Sequence, residues 1–207
     1  MAERGGLTLV EMLIVVAIIV LLAAIMLPVF EQATKHAEGA VCISNIRNLC
    51  TAAAVYADDW DGRCVPARVS GPAGTFGTCW EVLLMPYTRS SLLLLCPTDP
   101  MPSATRSSVS LKHSYGINFD IAMVGGYNGN SLCYNMIDRP AETILFFDLR
   151  GGAGSMGGSH RLDGLSRVEA RHNDGANFAF VAGNARWFRL EQTERIVSGD
   201  CTMWEPW

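Results

Sequence analysis

Apolar residues run almost unbroken over residues 7–30 (LTLVEMLIVVAIIVLLAAIMLPVF), where Glu11 is the only charged side chain. A helix of about 20 apolar residues spans a bilayer core, so this stretch predicts a transmembrane helix. Beyond Pro28 the pattern becomes one-sided. Phe30, Thr34, Ala37, Val41, Ile46, Leu49, Ala53 and Tyr56 recur near helical spacing, with Glu31, Lys35, Glu38 and Arg47 between them. The helix should therefore continue as an amphipathic half docked on a globular domain. It should stop near Ala57, because Asp58-Asp59-Trp60-Asp61-Gly62 supplies a turn glycine and a run of carboxylates that opposes the dipole at a helix C-terminus.

Downstream the periodicity shortens. Residues 71–77 read as a loop around Pro72, residues 80–85 as a short helix, and residues 92–95 as a strand or buried turn. This last segment leads through Cys96-Pro97 into an exposed loop rich in Pro, Ser and Thr over residues 98–108. Residues 114–119, 143–147 and 177–181 carry the β-branched and aromatic content of short strands, separated by Gly-rich turns at Gly125-Gly126 and residues 151–158. An antiparallel sheet packed on the long helix follows, and with it an α+β fold class. Trp187 and Phe188 are expected to close the core, while Trp204 and Trp207 have no periodic context that places them. No repeat of fixed period supports a solenoid or propeller.

Composition narrows the function classes. The 207 residues allow one domain beside the membrane segment. A net charge of −4 without a basic stripe argues against a phosphate-binding surface, and no nucleic-acid partner is expected. Charged residues at 17% and 20 glycines suit a loop-rich extracytoplasmic domain. The seven cysteines, Cys42, Cys50, Cys64, Cys79, Cys96, Cys133 and Cys201, form no C-x-x-C pair, so neither a sulfur-bound metal nor another cofactor is expected. In an exported domain some of them form disulfides of a connectivity the spacing does not fix. The odd number leaves at least one thiol unpaired or paired between subunits.

The order of residues at the N-terminus is the most specific signal. In a conventional signal peptide small residues follow the apolar core, whereas here Gly5 and Gly6 precede it. Arg4, offset by Glu3, favours a cytoplasmic tail only slightly, and the bulk of the chain then lies outside. A carboxylate such as Glu11 inside an apolar span costs on the order of 2.5–3.5 kcal/mol and asks for a partner that its own helix does not offer.

These residues together, RGGLTLVEMLIVVAIIVLLAAIMLP, resemble the class III leader of type IV prepilins and type II secretion pseudopilins. The resemblance implies cleavage by a prepilin peptidase between Gly6 and Leu7, methylation of the new N-terminus at Leu7, and Glu11 at the family's acidic position. Leu7 stands where the family usually has Phe. Pro28 falls at the family's helix-weakening proline, and it removes one backbone hydrogen bond at the carbonyl of Ala24. The implied organisation is a leader over residues 1–6, a transmembrane and assembly helix over residues 7–30, and an extracytoplasmic pilin-like domain over residues 31–207. The implied function is that of a structural subunit of a type IV pilus-like filament or a type II secretion pseudopilus, held in the inner membrane by a single pass with a short cytoplasmic tail. Its implied partners are the prepilin peptidase, identical or related pilin-like subunits, the inner-membrane assembly machinery and the lipid bilayer.

The rest of the chain resembles a branch of this superfamily with a C-terminal motif of His, nine residues, then Asp-Gly. The likeness is carried by Cys42-Ile43-Ser44-Asn45-Ile46-Arg47, Tyr56-Ala57-Asp58-Asp59-Trp60-Asp61-Gly62, Cys96-Pro97-Thr98-Asp99, Ser114-Tyr115-Gly116-Ile117-Asn118, Phe147-Asp148 and Arg171-His172-Asn173-Asp174-Gly175-Ala176-Asn177. The final Asp-Gly is degenerate, since Ala182-Gly183 stands there.

Candidate chemistry is sparse. His172, Asp174, Asp148, His160 and Asp163 could furnish a base or metal ligands, but their spacing matches no such motif, and His172 and Asp174 are expected to hydrogen-bond turn backbone. The D-x-D-G fragment from Asp59 to Gly62 is half of a calcium loop and reads as a solvated turn. No nucleophile elbow, phosphate loop or H-E-x-x-H helix is present, so no catalytic residue is assigned and an enzyme is not expected. The competing reading is a membrane-tethered extracytoplasmic module that binds carbohydrate or metal and keeps a pilin-like leader for export.

Overall fold

The computed structural model describes residues 8–71, 77–104, 111–124, 130–151 and 167–193. Gly6, Leu7, His160, Asp163, Cys201, Trp204 and Trp207 lie outside them. The chain divides into two compact units, Met1–Ala37 and Glu38–Trp207. One helix, α1 (Leu9–Asp59), contributes to both.

In the first unit α1 continues through Pro28 and buries nothing. Every large apolar side chain from Leu9 to Phe30 is exposed, from 47% at Val15 to 82% at Leu9. Among the described residues this is the one helix long and apolar enough to cross a membrane. Length and composition alone produce that property: about 20 apolar residues match the bilayer core.

The second unit starts from the other end of α1. Cys42, Ile46, Leu49, Cys50, Ala53, Tyr56 and Ala57 follow one another at helical spacing and are buried, a stripe that faces a core. Val41, assigned to this stripe by periodicity, is instead 46% exposed, and Cys42 takes the inward position. The helix ends two residues past Ala57, where Asp61 (φ 54°) and Gly62 (φ 74°) adopt the left-handed conformation. Their turn brings the amide of Gly62 to the carbonyl of Ala57 at 2.8 Å, a C-terminal cap that satisfies an orphan carbonyl.

Four antiparallel strands form the main sheet in sequence order. They are β5 (Tyr115–Ile117), β6 (Ile144–Asp148), β7 (Ala176–Phe180) and β8 (Ala185–Phe188). Two-stranded ribbons precede it: β1 (Arg68–Val69) with β2 (Thr78–Cys79), and β3 (Ser103–Ala104) with β4 (Lys112–His113). All residues of β5, β6 and β7 are buried, because both faces of the sheet are covered. Leu145, Phe146, Ala179 and Val181 join the helix residues in one cluster, while Ile144, Phe147, Ala176, Phe178 and Phe180 join Leu149 and Val168 in another. Strict alternation would send Leu145 and Phe146 to opposite faces. A register shift between Ile144 and Phe146 turns both toward the helix, as an extra bulged residue does. Alternation then resumes, so Asp148, between Phe147 and Leu149, is on the helix side.

Shorter elements complete the core. The helical turn α2 (Trp80–Leu83) places Trp80 against Phe146, ring centroids 5.1 Å apart. Of residues 92–95, expected as a strand or buried turn, Leu92 to Leu94 form a 3-10 turn with Ser91 (Ser91–Leu94), capped by the Ser90 hydroxyl accepting from the Leu92 amide, and Leu95 follows in extended conformation. Its successive leucines differ in exposure as a helical turn requires: Leu94 is buried and Leu92 is 70% exposed.

Candidate functional site

Two places in the chain concentrate unusual chemistry. The first is the N-terminal turn of α1. Thr8 and Glu11 form a reciprocal cap: the Thr8 amide and hydroxyl both donate to Glu11 Oε2 at 2.8 Å, and the Glu11 amide donates to Thr8 Oγ1 at 3.3 Å. This T-x-x-E arrangement is a capping box, which satisfies amides that a helix start leaves open. The expectation that Glu11 finds no partner within its own helix is thus corrected, and the three-residue spacing that signals the box is present in the sequence. Pro28 lies within continuous helix.

The second place lies in the other unit, where four segments converge. Cys42 on α1 is bonded to Cys96, which follows the 3-10 turn, with Cα atoms 5.1 Å apart. Asn45, close to one turn further along α1, donates its side-chain amide to the carbonyl of Leu95 at 3.0 Å and fixes the same approach. Asp148 ends β6 on the helix-facing side, opposite Tyr115. His172 opens a two-residue hairpin turn: Asn173 (φ 50°) and Asp174 (φ 59°) occupy its left-handed centre, and His172 and Gly175 exchange amide–carbonyl bonds of 3.0 and 3.1 Å. Asn and Asp tolerate that conformation best after Gly, which explains the sequence at this corner. Gly175 itself has no room for a side chain, since a Cβ there would lie 2.5 Å from the Trp187 ring.

The His172 backbone therefore serves the turn, and its imidazole is directed elsewhere. Nε2 lies 3.4 Å from Asp148 Oδ2 and 3.5 Å from Cys96 Sγ. Asp148 Oδ2 also accepts from the Asn177 amide at 2.7 Å, whereas Asp148 Oδ1 is buried with no hydrogen-bond partner among the described residues. Arg171 next to His172 is bonded to Asp99 at 2.9 Å and to the carbonyl of Leu149. Burial pushes the Asp148 carboxyl up to about 7, against the lowering effect of the Asn177 amide and the Arg171 charge. Burial, helped by Arg171, pushes His172 down to about 4. Both shifts favour an uncharged pair, with the proton on the carboxyl.

A cleft of about 390 Å³ adjoins this cluster, lined by Asp99, Met101, Arg150, Glu169 and Arg171 among others. Its charges are already matched, Arg171 by Asp99 and Arg150 by Glu169 at 3.2 Å. A second buried acid–imidazole contact, Glu81 Oε1 to His113 Nε2 at 3.4 Å, lies beside Trp80, and burial pushes Glu81 up to about 8.

The convergence of Cys42, Cys96, Asp148 and His172 is not visible in spacing, because these residues come from separate parts of the chain. Trp187, expected in the core, is 39% exposed and spends its indole N–H on the carbonyl of His172 at 2.5 Å. Phe188 does pack on the second core cluster. No family model, curated protein or solved structure matches the chain.

Proposed function

We propose that this chain is a pilin-like structural subunit, cut between Gly6 and Leu7 and assembled through the apolar half of α1 into a filament or pseudopilus. The observation that carries the reading is the surface of residues 9–30, apolar on all sides and bearing one carboxylate. A helix apolar all round is stable only among lipids or other helices, and beyond the capping box with Thr8 a membrane alone gives no reason for a carboxylate in this stretch. Cleavage would leave a basic amine on Leu7, about 6 Å along the helix from Glu11 at ~1.5 Å per residue. In a staggered bundle the carboxylate of one subunit meets that amine of the next, and the pair sets axial register while the leucines, isoleucines and valines pack. The domain beyond the membrane, with its disulfide and double-covered sheet, fits an extracytoplasmic position. Electron microscopy of material sheared from cells, with intact mass of the recovered subunit, tests the reading. Filaments built from a methylated chain starting at Leu7 are expected. A chain still starting at Met1 or cut beyond Phe30 would overturn it.

A further inference from the structure

Cys42 Sγ, Cys96 Sγ and His172 Nε2 all lie within 4.8 Å of one another, and Asp148 Oδ2 is 3.4 Å from the same imidazole nitrogen. Two sulfurs, one imidazole and one carboxylate are the donor set that zinc takes in tetrahedral sites. We propose that the Cys42–Cys96 disulfide is one of two states of this site, and that the reduced state holds one zinc-class divalent cation between Cys42, Cys96, His172 and Asp148. This inference concerns the globular unit and is independent of filament assembly.

The geometry is close to what the metal requires. Tetrahedral bonds of ~2.3 Å to sulfur and ~2.0–2.1 Å to nitrogen or oxygen separate ligand atoms by about 3.3–3.8 Å. The distances from His172 Nε2 to Asp148 Oδ2 (3.4 Å) and to Cys96 Sγ (3.5 Å) already fall there. The two bonded sulfurs must part, and Cα atoms 5.1 Å apart leave both cysteine side chains free to rotate once the bond is broken, with Cys42 Sγ already within 4.8 Å of the imidazole nitrogen. Asp148 Oδ1, buried without a hydrogen-bond partner among the described residues, is an acceptor that a cation would satisfy. The second carboxylate oxygen is held by the Asn177 amide, so the Asp148 ligand is oriented from outside the site, and the Trp187 indole holds the backbone carbonyl of the hairpin that carries His172. Two of the other thiols are poorer candidates: burial pushes Cys64 up to about 12 and raises Cys50 as well.

The interconversion balances with a dithiol as reductant. Its two sulfurs give up two electrons and two protons and become a disulfide, the Cys42–Cys96 bond breaks, and two thiols form. The cation then displaces both thiol protons to solvent as it binds the thiolates. The site is buried, so loading accompanies folding of the reduced chain or a local opening around the hairpin at His172.

The test uses the full chain in detergent, reduced with a thiol-free phosphine, with Co²⁺ as the spectroscopic probe and circular dichroism as the check on folding. One equivalent of Co²⁺ with thiolate-to-metal charge-transfer and tetrahedral d–d absorption is expected for the reduced protein, and none for the oxidised protein. His172→Ala keeps both thiols and should lose affinity by more than tenfold, since even outer-shell partners are worth about 10–100-fold. Cys96→Ser leaves Cys42 as the one thiolate ligand and should lose at least half of the charge-transfer intensity; if that variant does not fold, the His172→Ala titration decides. The proposal is overturned if the reduced, folded chain shows no charge-transfer bands, or if the bands keep their full intensity in Cys96→Ser. It fails equally if His172→Ala binds Co²⁺ unchanged, or if under the reductant the chain keeps its disulfide or stays unfolded with Co²⁺ present.

Discussion

Residues 9–30 and residues 42–57 belong to one helix and meet opposite surroundings. In the first stretch every large apolar side chain is exposed; in the second, apolar residues at helical spacing are buried against a sheet. The backbone is the same, so the difference resides in the side chains. Where charged residues interrupt the apolar ones the helix has one dry face and one wet face, and the domain's own core covers the dry one. Where they do not, the domain has nothing that could cover all sides, and the stretch depends on lipid or on other helices. Stability of the domain and the exposed apolar surface are thus encoded in separate lengths of α1.

The sharpest break of that separation is a matched pair of truncations. Leu49→Ala should destabilise the folded unit by about 2–5 kcal/mol, the cost of a cavity at a fully buried leucine. Leu21→Ala should change the same unfolding by less than about 0.5 kcal/mol, because its side chain touches no core. Urea unfolding of the full chain in detergent, followed by tryptophan fluorescence, measures both. Equal effects would mean that the two stretches are not energetically distinct.

Smaller effects come from buried ionisable groups in the globular unit, which the exposed stretch lacks. Glu81 is pushed from an ordinary 4.5 up to about 8 in the folded chain, so between those values the folded state keeps a proton that the unfolded state has released. The contribution of this group to stability is therefore greatest below about pH 4.5 and is lost as pH rises toward about 8. Glu81→Gln should flatten that slope in pH-dependent unfolding, and an unchanged slope would count against the buried acid.

Asp148 and His172 behave differently because their shifts oppose. Folding raises Asp148 from 3.8 to about 7 and lowers His172 from 6.5 to about 4. Between about pH 4 and 6.5 the unfolded chain holds its proton on the imidazole and the folded chain holds it on the carboxyl. The proton count is equal and the pair contributes almost no slope. In a Glu81→Gln background, His172→Ala should lose about 1–2 kcal/mol from the broken contact. It should also acquire a slope of its own, stability falling as pH rises from about 4 to about 7, because Asp148 is left uncompensated. A flat profile in the double variant would contradict the paired-proton account.

What could be read from the sequence follows physical range. The apolar stretch, the end of α1 near Ala57 and three of the four sheet strands depend on neighbouring residues, and composition and turn chemistry reveal them. β8 gives no strand signal because its four residues, Ala185 to Phe188, include Arg186 and an exposed Trp187 and so lack a clean alternation. The bulge at Ile144 to Phe146 leaves no mark in composition, although it decides which face Asp148 occupies. The capping box at Thr8 and Glu11 is legible in its spacing, yet the apolar setting puts the cost of the charge ahead of the amides it satisfies. The disulfide and the cluster beside it join residues 54 and 76 positions apart, a range over which local pattern carries no information.

The cap also makes the role of the Glu11 carboxylate separable from that of the helix start. Thr8→Ala removes the hydroxyl that holds Glu11 and weakens the helix start by about 1 kcal/mol, but leaves the carboxylate in place. Glu11→Ala removes the carboxylate itself, which in a bundle would strand a buried ammonium at a loss of several kcal/mol, while an isolated subunit is freed of a costly group in the membrane. The most direct measurement is the yield and helical rise of sheared filaments from cells producing each variant, with subunit mass confirming cleavage. Filaments near normal yield are predicted for Thr8→Ala, an intermediate yield for Glu11→Gln, and an inserted, cleaved but unincorporated subunit for Glu11→Ala. Filaments of normal yield and rise from Glu11→Ala would contradict assembly through this carboxylate.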